Sequence, residues 1–452
     1  MKQLKSIILA VFSLLPALLA SGQELPPCVD NSTKKFFPPI IDQAGGSCAQ
    51  ASSIGYVFTY EVNRLLDRDA SASPANRFSY FSAWNLVNDG ENQGGFAEDG
   101  LFVAQRTGIL TEEDYGEAST YSFKWASGYE KYRNALRYRV SRFVELPDDV
   151  EGLKRYLADG GIVSFSGKCI GWTMDSDYSG PSGTGYRCLL TELPLSGSHA
   201  MTIVGYDDLV TYTDRAGQSH TGAFIAVNSW GLYVHDRGRY YYPYDFFRDP
   251  TVPSSTLSDK FVAAEVKVQE PQILFRLTLD YSSRNDLAYH IGGTSDVAKG
   301  IPDNYYFQSG MSNKGGDHPM RGAYDKAPLE FALDLTDNIP EEAFPYCRFF
   351  LKIVRSAIGK EKGEGHLTDL SVIDYRSGSP VEYKYTGALP RAIVDGENIF
   401  VIGLIPRFTV SCSPVRAKEG VPLYLRTARG EEARMTLKRE GRQFTVQYQV
   451  QK

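Results

Sequence analysis

The chain has 452 residues, a formal net charge of -6 and 42% hydrophobic residues. This length suggests two or three domains, each large enough to bury a core, and the composition is that of an ordinary globular protein. The small negative charge gives no indication of a nucleic-acid partner or of binding to a membrane surface.

The N-terminus has the three-part pattern of a secretory signal peptide. Lys2 and Lys5 precede an apolar run from Ile7 to Leu19, and small residues follow at Ala20–Gly22. The run is too short for a comfortable membrane span, and no later stretch approaches about 18 uninterrupted apolar residues. We therefore expect residues 1–22 to be removed and the mature chain, without a transmembrane segment, to be exported to the periplasm, the cell surface or the medium.

Export permits disulfide bonds, and the sequence contains six cysteines. They are Cys28, Cys48, Cys169, Cys188, Cys347 and Cys412. Cys169 and Cys188 flank a segment rich in glycine, serine and aspartate, and we predict a local disulfide between them. If Cys48 must stay a free thiol, the other five cannot all pair. The sequence indicates no preferred partner for the remaining three.

The first half of the chain reads as helix-rich, followed by strands. Residues 48–66 place apolar side chains at three- and four-residue steps, which predicts a helix with Ser47 as its N-cap. Two further amphipathic stretches, 96–106 and 149–158, follow, and strand-like runs dominate from residue 200. This order predicts an α+β domain of two lobes, one helical and one resembling a β-barrel, over residues 23–265.

After residue 265 the helical signals nearly vanish, and short strand candidates alternate with glycine, proline, asparagine and aspartate. This texture predicts a β-sandwich over residues 266–406. Residues 407–452 form a small C-terminal β segment that is either separate or part of the sandwich. The predicted strands of the sandwich are Ile273–Leu279, Leu287–Ile291, Leu329–Leu335, Phe349–Val354, Leu370–Tyr375 and Ile399–Leu404.

Three residues carry the chemistry that the sequence indicates. Cys48 opens the first predicted helix, where unpaired N–H groups and the helix dipole stabilise a thiolate. His199 would act as general acid and base, and Asn228 would accept a hydrogen bond from the second imidazole N–H. Each residue type alone is common in structural roles, so the interpretation depends on the three occurring in this order.

Two neighbouring residues fit the same chemistry. Gln43 lies in the loop that enters the helix, and its amide N–H can stabilise a developing oxyanion beside the backbone N–H of Cys48. Trp230 follows Asn228 closely and could shield the hydrogen bond between histidine and asparagine from water. Trp84 and Trp172 could border the same cleft or lie in a core.

Over about residues 30–265 the chain resembles the papain family (C1) of cysteine peptidases. The resemblance lies in Gln43 with Gly46–Cys48, His199–Ala200 with Val204–Tyr206, and Asn228–Gly231, which match three signature blocks of that family. Gly94 and Gly95 stand where the family has a glycine pair whose backbone binds the substrate peptide. Two departures are a shorter loop between Gln43 and Cys48, and Ala49 in place of a tryptophan.

The resemblance implies a papain-like two-lobe fold and an endopeptidase that forms a thioester acyl-enzyme at Cys48. Its substrate would be a polypeptide. No cofactor and no metal are implied, and the other histidines lack the spacing of metal ligands. We expect these histidines at the surface: His220, His235, His290, His318 and His366.

Two alternative functions remain at this stage. The first is a binding or adhesion protein, in which the papain-like part is a scaffold and the C-terminal β region contacts a surface or a host protein. Intact Cys48, His199 and Asn228 argue against such a loss of chemistry. The second is an amidase or transpeptidase of narrow specificity, which would use the same thiol on a different acceptor.

Overall fold

The structure, a computed structural model, describes residues 24–116, 123–146, 149–192, 196–213, 217–248, 261–296, 299–339, 346, 348–356 and 362–403, and the backbone of three strands between 422 and 450. The predicted signal peptide, Cys347 and Cys412 lie outside the described residues. The chain divides into two compact units, Met1–Gly403 and Leu404–Lys452. The first unit therefore contains both the region predicted to be papain-like and the predicted sandwich region.

The fold is α+β, and its helices lie almost entirely in the first third of the chain. The helical segments are α1 (Cys48–Gln50), a π-helical segment (Ala51–Phe58), α2 (Thr59–Leu66), α3 (Tyr80–Val87), α4 (Ala97–Thr107), α5 (Glu112–Tyr115), α6 (Tyr129–Leu136), α7 (Val150–Ala158) and α8 (Asp245–Arg248). None of the helices in the described residues has both the length and the apolar character required to cross a membrane.

The predicted helix over 48–66 is confirmed as one continuous helical stretch whose middle is π-helical. All eight residues of the π-helical segment are buried. Gly55 lies within it, where a Cβ would meet the Ile41 side chain at 2.4 Å, so the absence of a side chain lets the entering loop pack against the helix. The helix is thus the central element that the site is built around.

The helices pack against a nine-stranded mixed sheet, mostly antiparallel. Its strands are β1 (Cys28–Asp30), β2 (Tyr138–Leu146), β3 (Val163–Gly167), β4 (Thr173–Asp175), β5 (Leu189–Glu192), β6 (His199–Thr213), β7 (Ser219–Val227), β8 (Arg239–Pro243) and β9 (Phe261–Val268). The order is β2-β9-β3-β6-β7-β8-β5-β4, with β1 paired to β6.

The predicted barrel-like lobe is not found: in the described residues this sheet is open, with β2 at one end of the order and β4 at the other. β2 pairs with β9 alone, and α4 packs against it. On the sheet, Leu153 and Leu157 of α7 join Phe165, Tyr206 and other buried apolar residues in one core. Asp149 caps α7 by accepting the Gly152 N–H at 2.6 Å.

Two further antiparallel sheets occupy residues 273–403. One contains β10 (Ile273–Tyr281), β13 (Leu329–Asp334), β15 (Gly365–Asp374), β16 (Val381–Lys384) and β17 (Arg391–Ala392); the other contains β11 (Leu287–Thr294), β12 (Tyr306–Phe307), β14 (Arg348–Arg355) and β18 (Gly396–Gly403). The rings of Phe275 and Phe349 connect the two sheets at a centroid distance of 6.1 Å. Their arrangement as a sandwich stays a prediction.

The sheets of residues 273–403 are joined to the papain-like region through a buried cation. Arg284 is completely buried, and its guanidinium lies 4.3 Å from the ring centroid of Trp125. It also donates to the carbonyl oxygens of Gly315 and Phe123, each at 2.8 Å. Burial lowers the pKa of Arg284 to about 9. Because this buried guanidinium needs hydrogen-bond acceptors from both regions, it holds the two regions together.

A second contact joins the two regions near residue 90. The backbone N–H of Gly315 donates to the Leu86 carbonyl oxygen at 3.0 Å. The imidazole of His318 stacks on Phe123 at 4.9 Å, and its Nε2 lies 3.0 Å from the Gly90 carbonyl oxygen. The loop after α3 is therefore held from outside the papain-like region.

The C-terminal unit contains a three-stranded antiparallel sheet. Its strands are β19 (Pro422–Arg426), β20 (Glu432–Glu440) and β21 (Gln443–Val450), in that order. Leu423 lies opposite Met435, and Met435 lies opposite Tyr448. The β content that the sequence predicts for 407–452 is present in these strands.

Candidate active site

Cys48 is the first residue of the central helix. Ser47 holds the N-cap position, as expected, but its hydroxyl does not cap the helix; it donates to the Ala44 carbonyl oxygen at 2.7 Å. The prediction of a side-chain cap is wrong because the tight turn of the entering loop takes the hydroxyl. The first-turn N–H groups at Cys48 are therefore not satisfied by a cap, and they favour an anion there.

His199 opens β6 and forms the best-defined contact of the site. Its Nε2 lies 2.8 Å from Asn228 Oδ1. The Trp230 ring stacks on the imidazole at a centroid distance of 4.4 Å and an interplanar angle of 23°. His199 is 4% exposed and Asn228 is fully buried, so the hydrogen bond lies out of water. The predicted pairing and shielding geometry is present.

Burial lowers the pKa of His199, and the hydrogen bond that His199 donates to Asn228 opposes this shift. The imidazole is therefore biased toward its neutral form, which can accept a proton. Because Nε2 is engaged by Asn228, Nδ1 is the nitrogen left for proton transfer.

The start of the helix and the start of β6 are fastened together by Ser52, one helical turn beyond Cys48. Its hydroxyl lies 2.6 Å from the Met201 carbonyl oxygen and 2.8 Å from Thr202 Oγ1. Met201 lies two residues beyond His199 on β6. Because these contacts are fully buried, the helix start and the histidine are held on adjoining segments.

Gln43 belongs to the site but has two local partners. Its Oε1 accepts the Ser229 hydroxyl hydrogen at 2.5 Å, and its Nε2 donates to the Gly45 carbonyl oxygen at 3.1 Å. Its backbone N–H donates to the Ser229 carbonyl oxygen at 2.7 Å. The entering loop is thereby tied to the residue after Asn228, and one of the two Nε2 hydrogens remains for another acceptor.

Gly94 and Gly95 are exposed, and the loop that carries them touches the cysteine loop. Gly46 donates its backbone N–H to Asn92 Oδ1 at 3.0 Å, and a Cβ at Gly46 would meet the Gln93 carbonyl carbon at 2.6 Å. A Cβ at Gly94 would meet nothing within 4 Å. The glycine pair thus lies beside the cysteine loop with free space in front of Gly94.

The predicted disulfide between Cys169 and Cys188 is absent, because both residues are free thiols. Cys188 Sγ lies 3.8 Å from His235 Nδ1, and burial raises the pKa of its thiol to about 11. Cys169 packs against Gly197, where a Cβ would lie 3.0 Å from its Sγ. The pKa of Cys169 is also raised, first by burial and then by Cys48. Cys188 therefore contacts His235, whereas Cys169 contacts Gly197, and the two sulfur atoms have different neighbours.

Sequence reasoning missed two residues and left a third open. Trp172, which the sequence placed either at the cleft or in a core, contacts Trp230 at 5.4 Å and His199 at 6.3 Å between ring centroids. Tyr56, within the π-helical segment, donates its hydroxyl hydrogen to the Asn228 carbonyl oxygen at 3.0 Å. The Nε2 atom of His235 lies 3.0 Å from the Nδ2 atom of Asn228.

The prediction that His235 lies at the surface is wrong, because it is packed between Trp172 and Tyr240 at centroid distances of 5.6 and 4.7 Å. His318 is also half-buried, against Phe123. No local pattern marks either histidine, since both depend on contacts with distant segments. Within the described part of the chain no cluster of three or more histidine, cysteine, aspartate or glutamate residues could hold a metal ion.

The comparisons with known proteins add structural neighbours only. No family model matches the chain, and no curated protein matches it. A solved structure of xylellain, a cysteine protease from Xylella fastidiosa, matches with 22% identity and a TM-score of 0.40, covering 54% of this chain and 88% of that one. Digestive procathepsin L 3 from the larval midgut of Tenebrio molitor matches with 18% identity and a TM-score of 0.39, covering 54% of this chain and 72% of that one.

Proposed function

We propose that the chain is an exported cysteine endopeptidase of the papain type, which hydrolyses peptide bonds through a thioester at Cys48. The observation that carries this proposal is the hydrogen bond of 2.8 Å between His199 and Asn228 under the Trp230 ring. It lies beside a helix that begins with a cysteine. A buried, oriented imidazole at the start of a strand that packs against a helix beginning with a cysteine is the arrangement from which thiol acyl transfer can proceed.

The first half of the reaction acylates the enzyme. The Cys48 sulfur attacks the peptide carbonyl carbon, and its proton passes to Nδ1 of His199. The imidazolium then donates this proton to the departing amine as the C–N bond breaks, which leaves a thioester. In the second half His199 takes a proton from water, the hydroxide attacks the thioester carbon, and the C–S bond breaks. The imidazolium then returns its proton to the departing sulfur, which regenerates the Cys48 thiol and releases the carboxylic acid product.

Two groups in the entering loop would stabilise the oxyanion formed in each half. One is the backbone N–H of Cys48, and the other is the second Nε2 hydrogen of Gln43. The bond from Gln43 Nε2 to the Gly45 carbonyl oxygen fixes which end of the amide carries hydrogens, because a carbonyl oxygen can only accept.

Gly94 and Gly95 would bind the substrate through the backbone, as an extended peptide adds to a strand edge. The exposure of the pair and the free space at Gly94 support this role. A polypeptide substrate follows, since backbone pairing selects extended peptides over small amides. The contacts of Gly315 and His318 with the loop before this pair support a structural role for residues 273–403 in the peptidase.

The proposal is tested with the purified full chain, a denatured protein substrate and a thiol reductant. We expect cleavage by the native chain and none by Cys48→Ala. Cys28→Ala, a free cysteine on β1, serves as the matched control and should retain full activity. An epoxysuccinyl inhibitor should add one mass equivalent to the native chain and to Cys28→Ala, but not to Cys48→Ala.

The possible results separate the candidate functions. Labelling of Cys48 without cleavage of any unfolded protein would favour the narrow amidase or transpeptidase. Neither labelling nor cleavage would overturn the thiol chemistry and favour the binding protein. Export is tested separately by sequencing the N-terminus of the secreted chain, which should begin near Gln23.

A further inference from the structure

The Asn228 side-chain amide has hydrogen-bond partners at both its oxygen and its nitrogen. Its Oδ1 lies 2.8 Å from His199 Nε2 and accepts the Ser229 backbone N–H at 2.7 Å. Because a backbone N–H can only donate, this contact places the amide oxygen on the side of His199. The amide nitrogen must then point the other way, and there it meets His235 Nε2 at 3.0 Å.

This geometry determines the protonation of both histidines. An amide nitrogen has hydrogens to donate and no lone pair to accept with, so His235 Nε2 must be an unprotonated acceptor. His235 is therefore neutral, with its hydrogen on Nδ1. By the same argument His199 carries its hydrogen on Nε2, where Asn228 Oδ1 accepts it, and Nδ1 is free to exchange a proton with the thiol.

We propose that His235 is a positioning residue that acts through Asn228. It holds the amide nitrogen by accepting its hydrogen, so that the amide oxygen stays on His199 and selects the tautomer needed at the thiol. His235 touches neither the substrate nor the reacting sulfur. The inference rests on the proposed function, because it assigns a role within the same site.

The surroundings of His235 support this role. Burial, and then the nearby His199, lower the pKa of His235 to about 4. The other titratable groups against its ring are Cys188 and Tyr240, whose pKa values are both raised by burial, so that both stay neutral. Trp172 carries no charge. The nearest carboxylate is that of Asp236, the next residue, which accepts the Arg187 backbone N–H at 2.9 Å; the charge that acts on the pKa of His235 is that of His199.

Backbone conformation also distinguishes His235. Its φ is 58°, in the left-handed region that residues other than glycine seldom occupy. The turn that holds it follows Gly231 and precedes β8, and Asp236 in the same turn pairs with Arg239. His235 adopts this left-handed backbone conformation in the turn that holds its imidazole against Asn228.

The proposal is tested with two matched substitutions in the full chain. His235→Gln places a carbonyl oxygen near the position of Nε2 and does not titrate, whereas His235→Leu has similar bulk and no acceptor. Both carry a Cβ, so the backbone strain is equal. We expect His235→Leu to lower kcat on the order of tenfold to a hundredfold with little change in KM, and His235→Gln to restore most of kcat.

The pH profile gives a readout that a purely structural residue would not move. As pH falls toward 4, protonated His235 would present a hydrogen to the amide nitrogen and release the amide. Protonation of His199 gives both proteins an acid limb, and the native enzyme should show a second loss of kcat near pH 4 that His235→Gln lacks. Equal kcat in His235→Leu and native protein, or the same second loss of kcat in His235→Gln, would overturn the proposal.

A measurement independent of peptide cleavage separates this proposal from the proposed function. Nitrogen-15 histidine NMR of the native chain should show His199 with its hydrogen on Nε2 and His235 with its hydrogen on Nδ1 between pH 7 and 8. In His235→Leu the His199 spectrum should change to a mixture of tautomers. These spectra without any peptidase activity would support the positioning role and contradict the peptidase, whereas a His235 that is protonated at pH 6 would overturn the positioning role.

Discussion

The Tyr56 hydroxyl connects the loop before Cys48 to Asn228. It accepts the Ile41 backbone N–H at 2.8 Å and donates to the Asn228 carbonyl oxygen at 3.0 Å. Tyr56 is 1% exposed and lies in the π-helical part of the central helix. Short π-helical segments often occur at functional sites. Here the segment carries the phenol that joins the loop before Cys48 to Asn228.

Tyr56→Phe should weaken both stability and catalysis. The change leaves a buried N–H and a buried carbonyl without partners, which costs about 1 to 3 kcal/mol of unfolding free energy. We expect kcat to fall about tenfold because Asn228 is less well held. Urea denaturation and steady-state kinetics measure the two effects. Tyr80→Phe is the control, since its hydroxyl makes a long contact of 3.5 Å with the Asp42 carbonyl oxygen and its loss should cost less than about 0.5 kcal/mol.

Gly316→Ala should disturb the loop that leads to Gly94. The glycine has φ of 71°, and a Cβ there would lie 1.9 Å from the Asp89 carbonyl oxygen. We expect a loss of about 3 to 5 kcal/mol in stability and a rise in KM, because the substrate-binding loop must move.

Gly378→Ala provides the matched control for that experiment. It has φ of 84° but nothing within 4 Å of a Cβ, so it carries the backbone strain without the collision. Its cost should be about 1 kcal/mol, and KM should not change. Equal effects of the two substitutions would mean that residues 273–403 do not support the loop.

Cys169 and Cys188 should react as free thiols. Alkylation of the unfolded chain without reductant, followed by peptide mapping, should label both residues. Cys188→Ala should not produce the loss of about 2 to 5 kcal/mol that removal of a native disulfide causes. A peptide pair joined through these two cysteines would contradict the structure and restore the disulfide that the sequence suggests.

Glu61 should make stability depend on pH. Burial raises the pKa of this carboxyl to about 7, although Arg64 lies 3.1 Å away and opposes the shift. The unfolded chain has an ordinary glutamate pKa, so the folded state binds the proton more tightly. The proton on Glu61 therefore contributes to the free energy of unfolding. This contribution is fully present below about pH 4.5 and is lost as pH rises through about 7, by up to about 3 kcal/mol.

Glu61→Gln removes the titrating proton and should flatten that part of the profile. Thermal unfolding between pH 4 and 8 measures the difference between native and variant protein. A difference that stays constant across this range would mean that the pKa of Glu61 is the same in the folded and unfolded states.

Much of the fold could be predicted because the signals are local. The apolar spacing of 48–66 predicts the central helix, and 149–158 predicts α7 to within one residue. The strand candidates at 273, 287, 329 and 349 begin within one residue of β10, β11, β13 and β14. The prediction of a lobe resembling a β-barrel was wrong, because strand pairing is set by contacts between distant segments and not by the pattern within each strand.

The candidate site also contains some residues that the sequence reveals and others that only the fold reveals. Cys48, His199 and Asn228 stand out in the sequence because each lies in a short motif, and the hydrogen bond between His199 and Asn228 agrees with the expected pairing. His235 and Tyr56 lie in no motif, and their roles come from single contacts with Asn228. Cys169 and Cys188 looked paired along the chain, and the fold gives each a different neighbour.

The sequence by itself determined which residues are candidates for the chemistry and which segments become helices and strands, since both follow from residue type and local spacing. Only the tertiary structure decided which way the Asn228 amide points, which nitrogen of each histidine holds a proton, and which region supports the loop before Gly94. Those properties depend on hydrogen-bond donors and acceptors brought together from distant parts of the chain. Their positions are set by the packing of the central helix on the sheet.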